Sequence, residues 1–210
     1  NENKSFFWKG EYKNDFNTRI THNTQLNALE YYKPNLNSVS RDFDFVMLGN
    51  LDPNIQMDIL LQVQNEEKFV VMDTMNYWIE KTEKKLFEVI SKSNLVVVND
   101  EESRMLGKSD SLQKCAESIM NCGPNYVIIK KGSDGAELFS KYRKTSIPAF
   151  AVSKVVDPTG AGDCFVGGVC GYLSSRPKID FTDLHNSMIY GTVIASFCIE
   201  EFGLAGLQKV

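Results

Sequence analysis

Three observations predict an α/β fold built on a doubly wound, mostly parallel sheet. Short, mainly apolar runs end in turn-forming residues, amphipathic stretches separate them, and a hairpin signal follows the last one. Apolar, β-rich runs of about four to six residues bounded by turn formers read as strands buried on both faces. Helices recurring between such strands make βαβ units, which place helices on both faces of the sheet.

Each element follows in order. Ser5–Tyr12 and Asn17–Leu29 are polar-aromatic and roughly alternating, and are expected as two strands of a sheet with one wet face. Glu30–Ser40 contains Tyr31-Tyr32-Lys33-Pro34-Asn35 and reads as a linker, so the chain divides at Asn37–Arg41 into residues 1–40 and an α/β domain over 41–210. The domain's strands are Phe43–Leu48 before Gly49-Asn50, Phe69–Met72 before Asp73-Thr74, Leu95–Val98 before Asn99-Asp100, and Tyr126–Ile129 before Lys130-Lys131-Gly132. Between them the pattern predicts helices at Pro53–Gln64, Tyr77–Ser93, Glu101–Leu106 and Ser111–Asn121. Ser133-Asp134-Gly135 has hairpin-turn chemistry, which returns Ala136–Ser140 antiparallel, and Thr145–Val152 is a further extended piece. From Gly160 onward the pattern is helical: Gly162–Ser174, a break at Pro177, then Thr182–Glu201.

Composition narrows the class. With 210 residues, 42% hydrophobic and 24% charged, the chain can bury a core and is not disordered as a whole. A net charge of −4 and a pI near 5.3 argue against nucleic acid or an anionic membrane as partner. No secretory signal and no apolar run long enough to span a bilayer is visible, so a cytoplasmic protein is expected. Five cysteines, an odd count without C-x-x-C spacing, fit reduced thiols, and two histidines make a His-rich zinc site improbable.

The segment richest in chemistry is Val155-Val156-Asp157-Pro158-Thr159-Gly160-Ala161-Gly162-Asp163, where a strand is expected to run into a turn of small residues and a helix to start at once. Gly160, Ala161 and Gly162 let a ligand approach the main chain, and their N–H groups are the free donors of a helix N-terminus, which favours anions. A carboxylate at that mouth, Asp163, repels a resting phosphate but can take the proton of an attacking hydroxyl. An anion cradle beside a base is equipment for phosphoryl transfer. A P-loop string is absent, and the dinucleotide fingerprint fails where Phe165 stands in place of its third glycine. The bland alternative is that Asp157 and Thr159 cap a tightly packed helix whose glycines serve helix contact.

Asp-x-Thr-Gly-Ala-Gly-Asp at Asp157–Asp163 resembles the signature of the ribokinase-like, phosphofructokinase B-type carbohydrate kinases. Asn99-Asp100-Glu101-Glu102 is similar to that family's Asn-x-x-Glu motif, and Ile129–Gly135 to the strand-turn-strand beside its nucleotide. The resemblance runs from about Asp42 to the C-terminus, and more weakly residues 5–29 look like part of the family's small β lid. It implies a ribokinase-like sheet and an ATP- and Mg²⁺-dependent kinase acting on a sugar, with a nucleoside kinase or a non-catalytic nucleotide-binding relative as alternatives. Asp163 would be the base, and the amides of Gly160, Ala161 and Gly162 the anion hole. Asn99 and Glu102 would organise Mg²⁺ and phosphates through water, although their spacing also suits a capping box. Lys130 and Gly132 would lie near the nucleotide; Lys130 departs from the Thr common there, and a solvated strand-end lysine is the alternative. Asp157 and Thr159 fall where relatives hold a monovalent cation such as K⁺. Cys164 stands where many relatives have Thr, either as a thiol of lowered pKa or as a packing residue. Asn50, Asp73 and Asn76, at or just beyond strand ends, are candidate acceptor contacts.

The same resemblance implies that the N-terminal part of the fold is missing. Family members are longer, and the early Gly-Gly sugar motif is not found; Gly167-Gly168 lies within the helix after the base. A sheet without its first strands is expected to leave an edge unpaired. Lid strands mediate dimers in this family, and Phe6, Phe7, Trp8 and Tyr12 would serve that contact or lid packing.

Overall fold

The computed structural model describes residues 4–13, 19–36 and 41–209. Its element order is β1 (Phe7–Tyr12), β2 (Arg19–Gln25), β3 (Phe45–Leu48), α1 (Pro53–Gln62), β4 (Phe69–Asp73), α2 (Asn76–Lys81), α3 (Glu83–Ile90), β5 (Leu95–Asn99), α4 (Asp100–Gly107), α5 (Leu112–Met120), β6 (Tyr126–Lys130), β7 (Ala136–Ser140), β8 (Lys144–Ile147), α6 (Ala161–Leu173) and α7 (Phe181–Ile199). Strands β1 and β2 form an antiparallel pair, and the other six form one sheet in sequential order. β3 to β6 are parallel, while β7 and β8 run antiparallel at the far side. At the near side β3 has β4 as its single neighbour among the described residues.

Period-two alternation, with a core on each face, explains why the parallel strands β3 to β6 are apolar up to their last residues. Val96 and Val98 of β5 face a core shared with α1 to α5, where Leu60, Leu86, Ile90 and Ile119 pack. Leu95 and Val97 of the same strand face the opposite core, filled by Val166, Val169 and Leu173 of α6 and Leu184 and Met188 of α7. The predicted doubly wound arrangement is therefore present, and among the described residues α6 and α7 are the helices of the second face.

Three expectations change. The stretch Tyr77–Ser93 is two helices, because Thr82 is non-helical (φ −136°, ψ 35°) and its hydroxyl bonds back to the Trp78 carbonyl at 3.0 Å. The extended piece expected over Thr145–Val152 is a strand only to Ile147, since Pro148 has no N–H for the ladder. The second N-terminal strand ends at Gln25, after which Asn27 at φ 51° starts a 3₁₀ turn. The start of that strand at Asn17 and the division at Asn37–Ser40 lie outside the described residues. Beyond them Gln62 ties the linker to α1, accepting from the Leu36 N–H and donating to the Pro34 carbonyl.

Candidate active site

Four parallel strands end on one side of the sheet, at Gly49-Asn50, Asp73, Asn99 and Lys130, where open α/β sheets place their ligands. Register aligns Asp73 with Val97 on the next strand and Asn99 with Lys130. Gln56, fully buried in α1, braces this rim: its amide nitrogen donates to the carbonyls of Gly49 at 2.8 Å and Asp73 at 3.0 Å.

The glycine segment meets the rim from the other face. No strand precedes it, contrary to expectation; instead Val156 and Asp157 donate their N–H groups to the Ile199 carbonyl at the end of α7. Asp157 Oδ1 accepts from the Thr159 N–H at 2.9 Å, which shapes the turn. Gly160 stands at φ 82°, a left-handed conformation open to glycine at little cost, and begins α6. The Ala161 N–H, one of the three amides expected to face an anion, is used instead, donating to the Pro158 carbonyl. Among the described residues the amides of Gly162 and Asp163 take no backbone partner, and no side chain caps the helix. They are the free donors of a helix N-terminus, with Asp163 exposed in its first turn.

Lys130 links the two faces. Its Nζ lies 3.7 Å from Asp73 Oδ1, and a Cβ on Gly162 would sit 3.2 Å from the same nitrogen. Burial works against the ammonium, but the carboxylates of Asp73, Glu102 and Asp163 outweigh it and hold the Lys130 pKa above its ordinary value. Burial pushes the Asp73 carboxyl up; Lys130 pulls against that and Asp163 adds to it. Lys131, pointing to the other side of β6, instead joins Lys144 around Glu137, both at 2.9 Å.

Other predicted residues have local partners. Asn99 and Glu102 form the capping box of α4, each side chain accepting from the other's N–H at 2.8 Å. Glu102 is buried all the same, within electrostatic reach of Lys130. Asn50 accepts from the Trp78 indole at 3.1 Å, Gly132 turns the chain after β6 at φ 55°, and Asn76 Oδ1 is buried with no partner among the described residues. The alternative of a lowered thiol pKa at Cys164 is overturned: burial, then Cys198 alongside, pushes it up to about 12. Sequence reasoning missed Gln56 and Thr74, whose Oε1 and Oγ1 are also buried and unpartnered. A polar residue between Ile55 and Met57, on a helix that must bury a face, was the one signal for Gln56.

The donors present suit an oxyanion such as a phosphoryl group: an uncapped helix start, a glycine leaving room for close approach, and an ammonium beside it. They do not form a metal cage, for among the described residues no three His, Cys, Asp or Glu side chains converge on one point.

Comparison with known proteins agrees with this chemistry. The model of the pfkB family carbohydrate kinases matches residues 14–209. The nucleoside kinase of Methanocaldococcus jannaschii is 26% identical over 178 residues, 84% of this chain and 55% of the relative. A crystal structure of that organism's nucleoside kinase superposes with a TM-score of 0.72 at 24% identity, covering 97% of this chain and 64% of the other. Fructokinase from Rhizobium leguminosarum bv. trifolii is 36% identical over 83 residues, 40% of this chain and 25% of that enzyme. A Vibrio cholerae fructokinase variant, solved with fructose, ADP and potassium ion, shares the fold at a TM-score of 0.69 and 18% identity, covering 79% and 57%. The chain thus spans a quarter to about two thirds of the length of these relatives. Its sheet, its helix-bound glycine turn and a family match over nearly its whole length make this chain a member of the pfkB family of carbohydrate kinases, with the ribokinase-like fold.

Proposed function

We propose that this chain carries the phosphoryl-transfer site of an ATP-dependent kinase whose acceptor is a sugar hydroxyl. The observation that carries the reading is the free N-terminus of α6, with unpartnered Gly162 and Asp163 amides and the Asp163 carboxylate in its first turn. In the reaction the acceptor oxygen bonds to phosphorus as the bond to the leaving ADP oxygen breaks, and the acceptor's proton passes to Asp163. The Gly160–Gly162 turn receives the charge that develops on the transferred group. Lys130 and Gly132 lie along the nucleotide's phosphates, and Asn50, Asp73 and Asn76 line the approach of the acceptor. Mg²⁺ would neutralise phosphate charge, and Glu102 would hold it through water, because one of its oxygens already caps α4. Asp157 and Thr159 would hold a monovalent cation such as K⁺ through oxygens other than Asp157 Oδ1, which already accepts from the Thr159 N–H. Free thiols and the absence among the described residues of a helix able to cross a membrane accord with a cytoplasmic kinase.

A nucleoside acceptor is the second reading, favoured by the nucleoside kinase that matches 84% of the chain. A panel of free sugars and nucleosides with coupled detection of ADP separates the two. Turnover with sugars alone supports the first and with nucleosides alone the second. ATP binding without transfer to any acceptor would mark a non-catalytic nucleotide-binding relative.

A further inference from the structure

Lys130 is the feature whose geometry a purely structural role does not explain. Its side chain is 16% exposed and its partner Asp73 only 6%, so this ion pair is more enclosed than the other pairs of the sheet. Enclosed ions normally close to full hydrogen-bond contact, because a buried donor without an acceptor is costly. The lysines around Glu137 do so at 2.9 Å, yet Lys130 stops at 3.7 Å from Asp73. Asp73 Oδ1 is meanwhile engaged by the Thr74 N–H at 2.9 Å. An ammonium with three donors is thus held loosely on one carboxylate, beside a helix start that has free amides. Gly162 is what admits it, since a Cβ there would crowd Nζ at 3.2 Å.

We propose that Lys130 is a catalytic residue whose ammonium, parked on Asp73 over Gly162, turns onto the phosphoryl group in transfer, with Asp73 as its positioning residue. This rests on the kinase reading and deepens it: Lys130 touches the group that moves, rather than the phosphates that stay with ADP. The ammonium keeps its three protons throughout and donates to non-bridging oxygens while the O–P bond forms and the P–O bond to ADP breaks. Asp73, Glu102 and Asp163 would otherwise surround the incoming phosphates with negative charge, and Lys130 is the cation that acts on Asp73 most strongly.

The test is calorimetric titration of the whole chain with ATP and with ADP, for wild type, Lys130→Met and Lys130→Arg. The ratio of ATP to ADP affinity is expected to fall about tenfold to a hundredfold in Lys130→Met, the loss of one charge-assisted contact to the terminal phosphoryl. Lys130→Arg, which keeps the charge, should retain most of that ratio. Equal loss for both nucleotides, or no loss, overturns the proposal and leaves the kinase reading standing. Wild-type protein that binds neither nucleotide removes both. Should Lys130→Met not fold, Lys130→Gln decides on the same ratio: the proposal expects ATP-over-ADP affinity to fall by about the same factor, and an unchanged ratio in folded Lys130→Gln contradicts it.

Discussion

Replacing Gly162 by Ala should separate stability from function in opposite directions. Gly162 has no positive φ, so alanine fits its backbone, and exchanging glycine for alanine in a helix is worth up to about 1 kcal/mol. For a chain of 210 residues that is a rise in Tm of about 2–4 °C. Against it stands one contact, the new Cβ at 3.2 Å from Lys130 Nζ. That nitrogen ends a flexible chain and can yield a few tenths of an ångström, so the gain in Tm should survive. Function should weaken, because the group that yields is the ammonium beside the free amides: losing a charge-assisted contact outright costs about 1.5–3 kcal/mol, about tenfold to a hundredfold in ATP affinity, and a displaced one a part of that. Thermal melts and calorimetry on the same sample read both effects. A Gly162→Ala protein that melts lower, or that binds ATP as wild type does, refutes the reasoning.

Neighbouring glycines of α6 should behave unlike each other. At Gly168 a Cβ would meet Gly191 Cα at 2.8 Å and the Tyr190 carbonyl oxygen at 2.9 Å, both backbone that cannot turn aside, so Gly168→Ala should cost about 1–3 kcal/mol in a denaturant melt. Gly167, with nothing within 4 Å, should gain up to about 1 kcal/mol from the same change. The Glu137 cluster predicts a pH dependence. Burial opposes the Glu137 carboxylate, but Lys131 and Lys144 prevail and hold its pKa below the ordinary 4.5. A depressed carboxylate stabilises the fold above about pH 4.5, and that contribution fades as pH falls through the folded-state pKa. Glu137→Gln should therefore lower Tm by a few degrees at pH 7, about 1 kcal/mol, and the gap should close in acid; a gap independent of pH contradicts the assignment.

Local chemistry was legible from the residues, and long-range pairing was not. The apolar runs became buried parallel strands, and the Asn99–Glu102 spacing became a capping box, because both depend on neighbours in the chain. Asp157–Gly162 likewise formed a turn into α6, since a small-residue turn and an Asx bond are short-range features. Thr82 breaks a helix that periodicity would carry through, because the back-bond to Trp78 competes with the helical ladder. Lys130 on its own suits a solvated strand end. That it meets Asp73 and Gly162 depends on β4 and β6 ending at one rim and α6 packing across from it. Gln56 bracing two strand ends is tertiary in the same way.

The account depends most on Asp163 as the base at the start of α6. Asp163→Asn keeps the shape and the free amides but removes the proton acceptor. Turnover with the best acceptor of the panel, measured beside ATP affinity, should fall about a hundredfold to ten-thousandfold while affinity stays within about threefold. Turnover equal to wild type, with ATP still bound, would contradict the account.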